Sequence, residues 1–115
     1  MALPHAAPAQ PIDIAPLGPA LTQTLSTALF KSEGLEVMRI VLPAGKTLPA
    51  HKVDGEMTFQ VIEGEVELLV SHGNTEDRER LHAGQLCYLP GGVVHTVSAL
   101  QDASALLTIV LRHPD

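Results

Sequence analysis

Tryptophan is absent from this chain, and the aromatic set is one tyrosine and two phenylalanines. A hydrophobic core must then be built from Leu, Val, Ile and Ala, which with the other apolar types make up 45% of the residues. One cysteine, Cys87, excludes an intrachain disulfide. It stands in the apolar run 85–89 and reads as a small hydrophobe with no adjacent base to activate it. Basic residues are also scarce: 7 Lys and Arg stand against 13 Asp and Glu, a net charge of -6. Nucleic acid is therefore not an expected partner, because phosphate binding needs a basic surface. No basic run exists to meet an anionic membrane, and no apolar run approaches the roughly 20 residues of a spanning helix. The N-terminus has neither a charged start nor a sustained apolar stretch, so it does not read as a signal peptide. The expectation is a soluble, cytoplasmic protein.

A length of 115 residues suits one domain. At this size roughly 65% of the unfolded surface can be buried, enough for a core without staples. Residues 1–20 hold Pro4, Pro8, Pro11, Pro16 and Pro19, a density that excludes helix and disfavours a central strand. They read as an arm, either disordered or extended on a partner, and residues 21–115 as the folded domain. From residue 25 onward short apolar runs alternate with turn signals. Strands are expected over 25–30, 35–42, 57–62, 65–70, 80–82, 86–89, 93–100 and 105–111. The run 76–80 reads as a solvated edge with internal ion pairs. Such spacing without helical periodicity implies an all-β sandwich or barrel.

Two glycine-bounded histidine segments interrupt this pattern. The first runs from Gly45 through His51, Val53, Glu56 and Met57 to Gly64; the second runs from Gly84 through Pro90, Gly91 and Gly92 to His95. Over residues 37–111 the chain resembles the cupin superfamily, whose two signature motifs match these segments in length. The resemblance implies an antiparallel double-stranded β-helix, the jelly-roll barrel, with the motif residues on its inner face. The family's usual metal site takes two histidines and a glutamate from the first motif and one histidine from the second. Here the second histidine position is Val53, the glutamate position is Met57, and the family's asparagine position is Ala99.

Strand parity then sets the expected lining. Met57, Phe59 and Val61 share one face, and so do His95, Val97 and Ala99; Val53 points inward if His51 does. The family's cofactor would be a divalent metal ion, for which His51 and His95 are an incomplete ligand set, so the residues assign no cofactor with certainty. Candidate third ligands are Glu56, Gln60 and Met57. Methionine's thioether suits copper(I), and strand parity turns Glu56 and Gln60 away unless a bulge at Asp54-Gly55 reverses it. His5, His72, His82 and His113 read as solvated. Serine nucleophiles and phosphate loops have no support in the pattern. Tyr88 or Glu56 could assist acid–base work by His51 or His95.

Three functions fit. A binding module would hold a small organic molecule in an apolar cavity lined by Val53, Met57, Phe59 and Val97 with His51 and His95. A metal-dependent enzyme of the dioxygenase, isomerase or lyase type would use the two histidines. A structural or regulatory homodimer would form through the proline-rich arm. Enzymatic activity is left open by the residues themselves.

Overall fold

The computed structural model describes residues 6–111, with His51 described by its backbone. Nine strands form two antiparallel sheets. They are β1 (Thr27–Lys31), β2 (Leu35–Leu42), β3 (Thr47–His51), β4 (Met57–Glu63), β5 (Glu65–His72), β6 (Thr75–His82), β7 (Leu86–Leu89), β8 (Val94–Ala99) and β9 (Ala103–Val110). One sheet has the order β1-β2-β9-β4-β7 and the other β3-β8-β5-β6. This is the jelly-roll barrel implied by the motifs.

The alternation of side chains explains why the sheets face each other. Met57, Phe59 and Val61 are buried on β4, and Val66, Leu68 and Val70 are buried on β5, with the intervening positions partly exposed. Ala103, Ala105, Leu107 and Ile109 of β9 complete the layer between the sheets. A two-residue period with one apolar face can be satisfied only by a second such face. Burying a side chain the size of Leu68 contributes about 1.5–3 kcal/mol, so this layer dominates the stability of the fold.

Turn glycines fit the strands into this frame. Gly64, between β4 and β5, has φ +80°, and a Cβ built on it would lie 2.1 Å from the Asp102 carbonyl oxygen. A Cβ on Gly55 would lie 1.7 Å from the Val110 carbonyl oxygen. Both positions bring two backbones closer than any side chain allows.

The structure departs from the sequence reading in three places. Residues 47–51 form a strand although Pro49 lies within it. β3 is a sheet edge with an irregularity between Leu48 and His51, so the missing N–H breaks no central ladder. The run 76–80 lies within the edge strand β6, and its arginines pair across to β5 rather than along the run: Arg78 with Glu67 at 3.1 Å and Arg80 with Glu65 at 3.3 Å. Prolines do not exclude helix throughout the arm, since Gly18–Gln23 is a 3-10 helix. Pro19 stands in its first turn, where no N–H is needed. From Ala6 onward, the described part of the arm lies on this chain's own barrel. The Ala6 amide donates to the Leu29 carbonyl of β1, and Leu21 is buried.

Candidate functional site

The pairing of β3 with β8 sets the Cα of His51 opposite that of His95, bringing the two motif histidines into one register. On β8 the burial alternates so that His95, Val97 and Ala99 face inward. His95 is 4% exposed, and its Nδ1 lies 3.4 Å from the Val93 carbonyl oxygen. It borders a cavity of about 30 Å3 whose other described walls are Ile40, Leu48, Pro49, Phe59, Val97 and Leu107. Among the described lining residues His95 is the one polar side chain. The space holds about one water, far below the roughly 300–1,000 Å3 of drug-sized pockets.

The other expected site residues fall as follows. Phe59 and Val97 line the cavity. Met57 is buried in the core at the start of β4, where its Cα pairs with those of Leu89 and Ile109. Val53 lies in the segment between β3 and β4, packed partly against the core, and borders an open groove with Lys31, Lys52, Gly55 and Val110. Glu56 is exposed, and its backbone carbonyl accepts the Val110 amide. Gln60 alternates with the inward Phe59 and Val61, so it faces the outside of its sheet. Residues 52–56 are irregular, so strand parity does not run unbroken from His51 to Met57.

This donor set can be weighed against a metal ion. A catalytic zinc or iron site takes three protein ligands from imidazole and carboxylate. Val53 offers no lone pair, Met57 offers a soft thioether, and Glu56 and Gln60 are not on the inner face. Among the described residues, no group of three or more His, Cys, Asp or Glu is placed to hold an ion. The described residues do not fit a three-ligand site for a hard cation.

Remaining chemistry-bearing side chains lie elsewhere. Tyr88 is 58% exposed and sits opposite Thr58, on the outer face of its sheet. Cys87 is half-buried; burial first, then the Glu79 charge, push its thiol up, which keeps it in its unreactive form. His72 and His82 are exposed, and His72 pairs with Asp77 at 3.2 Å. His5 and His113 lie outside the described residues.

A polar cluster that the motifs do not announce occupies the outer face of the five-stranded sheet. Arg39 of β2 and Ser104 of β9 are buried, at 8% and 1% exposure, and Glu63 ends β4 beside Ser104. The Ser104 hydroxyl donates to the Glu63 carboxylate, and so do the backbone amides of Leu17 and Gly18, at 2.8 and 3.0 Å. Burial by itself would raise the Glu63 carboxyl. The Ser104 bond, the two amides and the Arg39 charge outweigh it and hold the group below its usual range. The available signal was a polar residue inside an apolar strand run: Arg39 within 35–42, and Ser104 within 103–107.

Comparison with known proteins places this architecture. The family model described as the cupin domain matches residues 38–111, and the chain belongs to that family. Solved structures with the same fold include a conserved protein of unknown function from Streptococcus pyogenes, with TM-score 0.73 and 20% identity over 99% of this chain and 97% of that one. A cupin superfamily protein from Desulfitobacterium hafniense matches with TM-score 0.71 and 13% identity over 89% of this chain and 99% of that one. Oxalate decarboxylase from Bacillus subtilis, a protein with Mn(II) centres, matches with TM-score 0.67 and 22% identity over 73% of this chain and 23% of its own. At these identities the likeness concerns the fold. No curated protein matches the sequence.

Proposed function

We propose that this cupin is a binding module that takes a small organic molecule at the His95 end of the barrel interior. One observation carries the reading: the buried imidazole of His95 stands in a cavity whose other described walls are all apolar. That is the pattern of a ligand site in which contact area supplies affinity and one polar group sets orientation. The room present at rest suits a molecule of very few heavy atoms. A larger ligand needs one wall to yield, and β3 is the wall suited to do so. It is a sheet edge with an irregular register between Leu48 and His51, and Pro49 supplies no ladder hydrogen bond. The chemistry of the lining favours a compact apolar body bearing one hydrogen-bonding group, such as a small phenol or carboxylic acid.

The test is a titration of the metal-free protein with small phenols and monocarboxylic acids, followed by amide NMR. Binding should shift the amides of β3 and β8 together, and His95→Ala should weaken it at least tenfold. Shifts confined to the exposed strands, or binding indifferent to His95→Ala, would overturn the reading. The metal-dependent enzyme is the second reading, and the facing register of His51 and His95 favours it. Elemental analysis separates the two. One tightly held ion per chain, lost in His95→Ala, would establish the enzyme reading over the binding one.

A further inference from the structure

The arm is held by contacts of an unusual kind. Among the described residues, every hydrogen bond from the Arg39–Glu63–Ser104 cluster to the arm reaches a main-chain atom. Arg39 Nη2 donates to the Ala15 carbonyl at 3.1 Å, and the two Glu63 oxygens each accept one of two successive amides, Leu17 and Gly18. Ser104 fixes the carboxylate from β9. No side chain of the arm is read by these bonds; what the cluster recognises is main chain turning into the 3-10 helix, where Leu17 (φ -78°, ψ -24°) and Gly18 (φ +58°) aim two successive amides at one carboxylate. Arg39 is more than nine-tenths buried, yet its Nε finds no partner among the described residues. A buried cation with one donor unmet is costly to the fold.

What lies beneath the arm supports the same view. Leu21 and Val41 are buried at 3% and 5% exposure, but neither belongs to the core cluster between the sheets. Leu21 of the arm and Val41 of β2 are thus buried apart from the core between the sheets, and the Val41 amide donates to the Ser26 hydroxyl just beyond the arm. The arm rejoins the barrel through the irregular residues 24–26, where Leu25 is 81% exposed. We propose that Arg39, Glu63 and Ser104 form a clamp for a turn of peptide main chain, occupied by residues 15–18 of this chain, and that the arm lifts from the sheet when Glu63 loses its charge.

The direction with pH follows. Arg39 on β2 is the charged group acting on Glu63; β9 contributes the neutral Ser104 hydroxyl and the arm contributes two amides. Glu63 is held below its ordinary 4.5, so the clamp is fully closed above that pH and opens as pH falls through the lower folded value.

Hydrogen exchange on the full-length protein tests the clamp, with rates corrected for the intrinsic effect of pH. At pH 7, Glu63→Gln should expose the amides of residues 6–24 at least tenfold faster than wild type, while β4 and β9 stay protected. Wild type should show the same loss once pH has fallen below 4.5 and through the lower folded value of Glu63. Protection of 6–24 within twofold of wild type in Glu63→Gln would overturn the clamp. If Glu63→Gln unfolds the barrel, Leu17→Pro decides. It removes one donor from the arm at a residue whose φ of -78° already suits proline, and leaves the barrel residues intact. Exchange of the Gly18 amide should then rise severalfold, and an unchanged rate would overturn the proposal.

Discussion

Two polar places in this barrel differ in almost every physical respect. Inside, His95 stands among Ile40, Leu48, Phe59, Val97 and Leu107, where the motif positions that would join it hold Val53 and Met57. Outside, Glu63, Arg39 and Ser104 make a connected network that takes up two arm amides and one arm carbonyl. The interior carries the family's sequence signature with little of its ligand chemistry. The exterior carries no signature and has its hydrogen bonds nearly complete. A motif records the backbone that a barrel needs, whereas a polar network is recorded by burial, which only the folded chain shows.

The largest break in this contrast comes from the interior wall. Phe59→Ala removes a side chain that is 1% exposed and enlarges the cavity beside His95. Urea unfolding should show a loss of about 3–5 kcal/mol. A smaller loss would mean that the walls collapse into the space, and the cavity would then not be a preformed site.

The next effect would make the interior resemble the exterior. Val53→His combined with Met57→Glu restores the family's two missing donors. Without metal, a carboxylate at position 57 should cost about 3–5 kcal/mol, because it is buried with no partner. With zinc or manganese the protein should regain that stability and hold one ion per chain after dialysis, read by elemental analysis. Failure to take up metal would show that the two motif histidines do not share one space.

Neutralising the exterior network should cost less. Glu63→Gln should lose about 2 kcal/mol at pH 7, since hydrogen bonds to a charged acceptor weaken and Arg39 loses its counter-charge. The folded Glu63 value lies below 4.5, so its contribution is present above that pH and is lost as pH falls through the folded value. Stability curves of wild type and Glu63→Gln should therefore converge in acid. The smallest effect belongs to the exposed pairs. Arg78→Ala breaks the bond to Glu67 at an arginine whose side chain is 66% exposed, and thermal unfolding should register less than about 1 kcal/mol.

How much was legible follows the same division. β2 and β7 match the expected spans of 35–42 and 86–89, because apolar runs bounded by glycine or proline have few other uses. β3 escaped notice because Pro49 argues against a strand unless the strand is known to be an edge. The groupings Met57–Phe59–Val61 and His95–Val97–Ala99 were readable from parity alone. The placement of Glu56 was not, since residues 52–56 leave the strand geometry on which parity depends. Ser104 and Arg39 looked like isolated polar residues in apolar runs. They come from β9 and β2, and meet Glu63 of β4 only because β9 pairs with both strands.

By itself the sequence determined the fold class and the inward face of the central strands, and it marked out two histidine segments. These depend on period-two alternation and on glycines at close turns, both local properties of the chain. The tertiary structure decided the rest. It set how little room remains beside His95, because cavity volume is the small residue left after many side chains pack. It also decided where the arm goes, because the groups that hold residues 15–18 lie on three strands far apart in sequence. Burial and long-range hydrogen bonding belong to the assembled sheets, and no single segment carries them.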